Sequence, residues 1–150
     1  MTELTIDRGA PVVAEAEVLV RAAPADVFAV VTDIPAWPHV YPELRDVVVD
    51  GPVAEGVTFR FRTGPGTIDA KVVALGAAER FAIEGRGMGA TSRYVFALSP
   101  TLGGTRLVAA QSMSGLAVRA ARKMLQGIAE TSLRDWLEGI KSSVEERRDA

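Results

Sequence analysis

The pattern of apolar and polar positions changes period twice along the chain. Val12 to Val20 reads VVAEAEVLV, β-branched, loosely alternating and closed by a turn, which predicts a strand. Arg21-Ala22-Ala23 then leads into Pro24, a favourable first helical residue. Val27, Phe28 and Val31 share one face of a short helix. That helix must stop before Pro35, because a residue preceding proline is pushed out of the α region. Ala36 to Pro42 carries two further prolines with Trp37 and Tyr41, and predicts a second short helix or helical turn.

From Leu44 the period shortens. Strands are predicted at Leu44–Asp50, Val57–Thr63, Thr67–Leu75, Arg80–Gly85, Thr91–Ser99 and Thr105–Met113. Between them lie Gly51-Pro52, Gly64-Pro65-Gly66, Gly76, the Gly85–Gly89 run and Gly103-Gly104, breaks that suit antiparallel hairpins. No helical pattern separates these strands, so parallel crossovers are not expected. The period then lengthens again. Leu125, Ile128, Ser132, Trp136, Ile140 and Val144 follow helical spacing, with Leu133 and Leu137 beside them. One amphipathic helix is predicted over Leu116–Arg147, bent near Gly127 and frayed over Glu145–Ala150. At 1.5 Å per residue it would run roughly 45 Å, three times the ~15 Å radius of gyration of such a domain. It must therefore lie across the whole sheet.

This gives an α+β chain: about seven antiparallel strands in a curved sheet, wrapped around one long C-terminal helix, with two short helices after strand 1. A twisted sheet cannot close tightly on one helix everywhere. The short helices sit at one end, so a gap between sheet and long helix is the expected place for a small molecule.

Strand parity sorts the candidate residues. Phe59 and Phe61 share the inward face of their strand and leave Arg60 and Arg62 to solvent; Arg93 faces outward beside Tyr94. Tyr94, Phe96 and Leu98 form one inward set, and Leu107, Ala109, Gln111 and Met113 another. Tyr94 and Gln111 are then the polar groups of an otherwise apolar interior. A one-residue slip would reverse every assignment. The candidate ligand contacts are Trp37, Tyr41, Phe59, Phe61, Tyr94, Phe96, Gln111 and Met113, with Met124 and Ile128 from the long helix. Trp37 and Tyr41 have a second reading, as packing for the short helices. His39, the one histidine, titrates near neutrality. It is either a general base or polar anchor at the cavity mouth with Tyr41, or a surface residue in a proline-rich turn; His39 and Tyr94 are the two catalytic candidates.

Composition narrows the chemistry. The 150 residues contain no cysteine and one histidine, which removes disulfides, thiol nucleophiles and the usual zinc sets; no metal site and no cofactor are expected. Net charge is −2, from 17 basic and 19 acidic residues, which argues against a nucleic-acid surface. No apolar run approaches the ~18 residues of a membrane span. Residues 12–147 read as one domain and residues 1–11 as an N-terminal tail without the apolar core of a signal peptide, consistent with a cytoplasmic protein. Oligomeric state is not readable. Gly85-Arg-Gly-Met-Gly-Ala90 matches a loose dinucleotide pattern, but Thr91 to Ser99 beyond it reads as a strand and not a helix, so a hairpin is the better account. Ser112 and Ser114 lack a nucleophile-elbow frame. Arg119, Arg122 and Lys123 cluster at the start of the long helix, as a solvated face or a contact for an acidic carrier or lipid headgroup.

The element order carries a resemblance, together with several local motifs. These are Pro24-Ala-Asp-Val-Phe28, Thr32-Asp33-Ile-Pro-Ala-Trp37-Pro38, Gly56-Val-Thr-Phe59, Gly104-Thr-Arg106, Ser114-Gly115 and Ser132-Leu-Arg-Asp-Trp136-Leu137. Over residues 12–144 the chain resembles the START-like (SRPBCC) superfamily, in its polyketide cyclase/dehydrase and lipid-transport branch. The resemblance implies a helix-grip fold with a deep apolar cavity and leaves function open. It admits three readings. The first is a binder of a lipid, isoprenoid or polyketide-like molecule. The second is an aromatase/cyclase moving protons on a poly-β-ketone chain through His39, Tyr41 or Tyr94. The third is a co-chaperone-like interaction module with a filled core.

Overall fold

The computed structural model describes residues 6–76 and 78–149. Strand β1 (Val12–Val20) opens the fold and is followed by α1 (Pro24–Val31). A single 3-10 turn (Ile34–Ala36) and the four-residue α2 (Trp37–Val40) come next. Six strands then run as a meander: β2 (Arg45–Val49), β3 (Thr58–Thr63), β4 (Gly66–Gly76), β5 (Arg80–Gly87), β6 (Ala90–Thr101) and β7 (Gly104–Ser114). The chain closes with α3 (Leu116–Ala120) and α4 (Arg122–Asp149). All neighbours are antiparallel, in the order β1-β7-β6-β5-β4-β3-β2. The first strand thus pairs with the last, and α1 and α2 carry the chain from one edge of the sheet to the other. This is the helix-grip arrangement the sequence predicts.

Local chemistry accounts for the elements. Pro24 stands in the first turn of α1, and Val27, Val30 and Val31 are its buried face; Phe28 is only half-buried. Thr32 Oγ1 donates to the Phe28 carbonyl at 2.8 Å and takes up one of the carbonyls left at the helix end. The β3–β4 hairpin turns on Gly64-Pro65, with Gly64 at φ 55°, a backbone region open to glycine at no steric cost. Phe59 and Phe61 are buried and Arg60 and Arg62 exposed, as alternation requires.

Two expectations about the long helix need correction. Helix α4 runs without interruption through Gly127. The predicted helix breaks instead at Ala121 (φ −114°, ψ 27°), which separates α3 from α4. Nor does it fray over 145–149. The Arg21 amide donates to Glu145 Oε2 at 2.9 Å, Lys141 Nζ to the same oxygen at 2.7 Å, and Arg148 Nη1 to the Arg21 carbonyl at 2.7 Å. These bonds hold the last turns; Ala150 lies outside the described residues. Of the N-terminal segment, residues 1–5 also lie outside the described residues. Ile6 is buried, and the Asp7 amide donates to Ser112 Oγ at 3.1 Å.

Helix α4 makes its closest backbone approach to the sheet at the β1 edge. Gln126 uses both ends of its amide there: Nε2 donates to the Val13 carbonyl at 2.7 Å, and Oε1 accepts from the Val13 amide at 3.3 Å. Lys141 Nζ donates to the Leu19 carbonyl at 2.9 Å. The backbone groups of an edge strand need partners, and helix side chains supply them here.

Between α4 and the sheet lies an aromatic core. The Trp136 ring is 5.1 Å from Trp37 and 5.1 Å from Phe96, both edge-on. Trp37 also meets Phe59, Phe61 and Phe81, and its indole N–H donates to the Val31 carbonyl at 3.0 Å. Edge-to-face contacts of this kind add to the area each ring buries.

Candidate functional site: an apolar cavity with a tyrosine–glutamine pair

The hollow beside this core arises from the sizes of the inward side chains. Along β5 they run Phe81, Ile83, Gly85, Gly87; along β6, in the same direction, Leu98, Phe96, Tyr94, Ser92, Ala90. Gly85 pairs with Ser92 and Gly87 with Ala90, so the smallest residues face each other across two strands. A Cβ on Gly87 would lie 2.3 Å from the Thr67 carbonyl oxygen, so β4 approaches the Gly87 backbone too closely for any larger residue. The helix contributes in the same sense. Leu133, Trp136, Leu137, Ile140 and Val144 are buried in the later turns of α4, whereas Met124 and Ile128 near its start are 63% and 52% exposed.

The result is a cavity of about 500 Å³ between the sheet and the start of α4. Its floor is Phe61, Ile68, Ile83 and Met113, its inner wall Trp136 and Leu133, and its rim Pro65, Met88, Ala117, Met124 and Ile128. No Asp, Glu, Lys, Arg or His is among the described residues that line it. A depression of about 720 Å³ lies on the opposite, solvent face of β2–β5. It is lined by Asp50, Arg60, Asp69, Lys71, Glu84 and Arg86, and Arg60 pairs with Asp69 at 2.8 Å. That charged groove is a poor match for an apolar molecule, so the interior cavity is the candidate site.

Four polar side chains gather in the cavity around Trp136. Gln111, 4% exposed, donates from Nε2 to Tyr94 Oη at 2.8 Å. Tyr41 and Ser132 line the same part of the cavity. Tyr41 stacks on Trp136 with centroids 6.2 Å apart, and Tyr94 meets the same ring edge-on at 5.6 Å. Burial, with the Tyr41 hydroxyl close by, pushes the Tyr94 hydroxyl far above the ordinary phenol range. Burial raises Tyr41 as well, with Glu43 and Asp135 adding to the rise. Both phenols are therefore neutral hydrogen-bonding groups, suited to holding an oxygen and not to abstracting a proton.

Of the sequence candidates, Tyr41, Phe61, Tyr94, Gln111, Met113, Met124 and Ile128 line the cavity. Trp37, Phe59 and Phe96 do not; they are buried among the other rings, Trp37 and Phe96 against Trp136 and Phe59 against Trp37 and Phe61. His39 is exposed and absent from the lining. It lies on the outer side of α2, while Trp37 and Val40 take the buried side. Of the two catalytic candidates, Tyr94 lines the cavity and His39 does not. Sequence reading missed Trp136 as a cavity wall, and missed Gly85 and Gly87 as the residues that open the space. Their signal was the odd-position series Phe81, Ile83, Gly85, Gly87, hidden because the glycines read as a loop. Only Met88-Gly89, at φ 53° and 75°, make the turn. Arg119, Arg122 and Lys123 are exposed. Among the described residues no group of three or more His, Cys, Asp or Glu is placed to hold a metal ion, and no helix is long and apolar enough to cross a membrane.

The sequence profile of the polyketide cyclase/dehydrase and lipid transport family matches residues 11–145. The chain belongs to this family. Its membership in the START-like (SRPBCC) superfamily also agrees with solved structures of the same fold. A hypothetical protein from Helicobacter pylori superposes with a TM-score of 0.79 at 16% identity, over 96% of this chain and 98% of that one. A START superfamily protein from Mycobacterium smegmatis gives 0.77 at 16% identity, over 89% and 97%. An aromatase/cyclase from Streptomyces gives 0.78 at 17% identity, over 90% and 94%. At these identities the likeness is one of fold. A comparison with curated proteins finds no match. The family spans cyclases and lipid carriers.

Proposed function

We propose that this member of the family binds an apolar small molecule, of the lipid, isoprenoid or polyketide class, in the cavity between the sheet and α4. The observation that carries the reading is the cavity itself: about 500 Å³ of space with an apolar wall and no charged side chain. Burial of apolar ligand surface against Phe61, Met113, Met124 and Ile128 drives binding, and Tyr41, Tyr94 and Gln111 orient the ligand. Proton-transfer catalysis draws no support from the geometry, since the lining offers neutral phenols and no carboxylate or imidazole. A filled-core interaction module is disfavoured by the empty volume.

Titration with Nile red, a neutral apolar dye, tests the proposal. Fluorescence should rise and saturate with the wild-type protein. Affinity should fall at least tenfold in Met113→Trp, which fills the space from the β7 side. No saturable uptake by the wild type, or equal uptake by the filled variant, would overturn it.

A further inference from the structure

Resting on that reading, we infer that the cavity selects an uncharged molecule bearing a hydrogen-bond-accepting oxygen, a ketone, ester or similar group, and that the Tyr94 hydroxyl supported by Gln111 is the group that selects it. Two observations converge. The first is what the wall excludes. A buried carboxylate would find no Lys, Arg or His among the described lining residues, and a buried ammonium no Asp or Glu. Either ion would lose its hydration without a counter-charge, a far larger cost than burying a neutral group. The second is the direction of the side-chain hydrogen bond between two lining residues, Gln111 and Tyr94. Gln111 Nε2 donates, and Tyr94 Oη accepts, at 2.8 Å. A phenol has a single proton, and with the oxygen engaged as acceptor that proton is left to donate into the cavity.

Gln111 is a positioning residue. Its amide is almost wholly buried and fixed on β7 directly opposite Tyr94 on β6, the two being cross-strand partners. Trp136 restricts the tyrosine ring from the helix side, edge-on at 5.6 Å. The hydroxyl is therefore held before the ligand arrives, which lowers the ordering cost of the bond it makes. Its burial keeps it protonated, and so a donor, throughout the ordinary pH range. An apolar hydrocarbon would fit the wall yet leave this donor without an acceptor, a loss that sites built to hydrogen-bond an oxygen use for discrimination.

Equilibrium dialysis against fluorenone, fluorene and fluorenecarboxylate tests the assignment, since the three share a ring system and differ in the polar group. Wild-type protein should bind fluorenone roughly threefold to tenfold more tightly than fluorene, the range of one net neutral hydrogen bond. It should bind the carboxylate at least tenfold more weakly than the ketone. In Tyr94→Phe the ketone's advantage over the hydrocarbon should vanish while fluorene binds at least as tightly as to the wild type, since no donor is left without an acceptor, which also shows that the variant is folded. Gln111→Leu should leave a reduced advantage. Equal binding of ketone and hydrocarbon by the wild type, or preference for the carboxylate, refutes the selectivity and leaves the cavity reading standing. If none of the three binds, the cavity reading fails and the selectivity with it. A ketone preference that survives in Tyr94→Phe places the donor elsewhere and overturns the assignment.

Discussion

Helix α4 contains two glycines in opposite surroundings, and the same substitution at each should move stability in opposite directions. Gly127 is exposed, and a Cβ there would meet nothing within 4 Å. Replacing it with alanine removes the entropic penalty of glycine in a helix, a gain of about 0.5–1 kcal/mol. Gly139 faces α2. A Cβ there would lie 2.0 Å from the Val40 carbonyl oxygen and 3.0 Å from its carbon. Ordinary contact begins at 3.4 Å, so the two helices would have to separate by roughly 1.4 Å. The obstacle is backbone and cannot swing away as a long side chain would. The space cannot open freely either, because the buried rings of Trp37 of α2 and Trp136 of α4 meet at 5.1 Å. Overpacking of this kind costs about 1–3 kcal/mol and the strain of a displaced backbone adds to it, so the helix-propensity gain is outweighed. Gly139→Ala should therefore be less stable by about 1–2 kcal/mol. At roughly 2–4 °C per kcal/mol for a chain of this size, Tm should rise by about 1–4 °C in Gly127→Ala and fall by about 2–8 °C in Gly139→Ala. Thermal unfolding followed by circular dichroism measures both. Equal increases in the two variants would refute the close approach of α2 and α4, and with it the placement of the cavity's inner wall.

Two other outcomes are expected from the contacts along β1. Glu145 is held at about 2, below the ordinary 4.5, chiefly by the hydrogen bond from Lys141 and then by the Arg21 amide. A lowered folded-state value means that its contribution is present above pH 4.5 and is lost as pH falls toward 2. Glu145→Gln should cost up to about 1 kcal/mol at pH 7, and its difference in Tm from the wild type should shrink across that window. A difference constant with pH would contradict the ion-pair account. Gln126→Ala should cost about 1 kcal/mol by uncovering both backbone groups of Val13. The decisive readout is hydrogen exchange at the Val13 amide, which should lose protection; unchanged protection would show that the glutamine does not cover it.

Much of this architecture was legible because each element carries its own chemistry. Val12–Val20 announces β1 residue for residue, and Pro24 announces the start of α1. Strand parity placed Phe59, Phe61, Tyr94 and Gln111 on the inner face, since alternation is a property of the backbone and survives without knowledge of neighbours. What sequence could not supply were facts that exist only after packing. His39 and Trp37 are two residues apart in one turn, yet the helix sends one outward and the other into the core. The break at Ala121 has no proline or glycine at that residue to mark it. The Gly85–Gly89 run looks like a loop by composition, but strand pairing with β6 absorbs Gly85 and Gly87 and leaves a turn of only two residues. The partner of α4 was also beyond reach, because Gln126 and Val13 are separated by 113 positions.

The two margins of the sheet are guarded by different means. At one, the side chains of Gln126 and Lys141 occupy backbone groups of β1 that a foreign strand would need. At the other, β2 is only five residues long, and its register slips between Arg45 and Val48, with Asp46 twisted to φ 52°. A seven-stranded sheet of this composition would otherwise offer templates for fibril growth at both ends. Loosening α4 would therefore do more than lower the melting temperature: it would uncover a sticky ribbon, so loss of the helix clamp should surface first as self-association in concentrated solution.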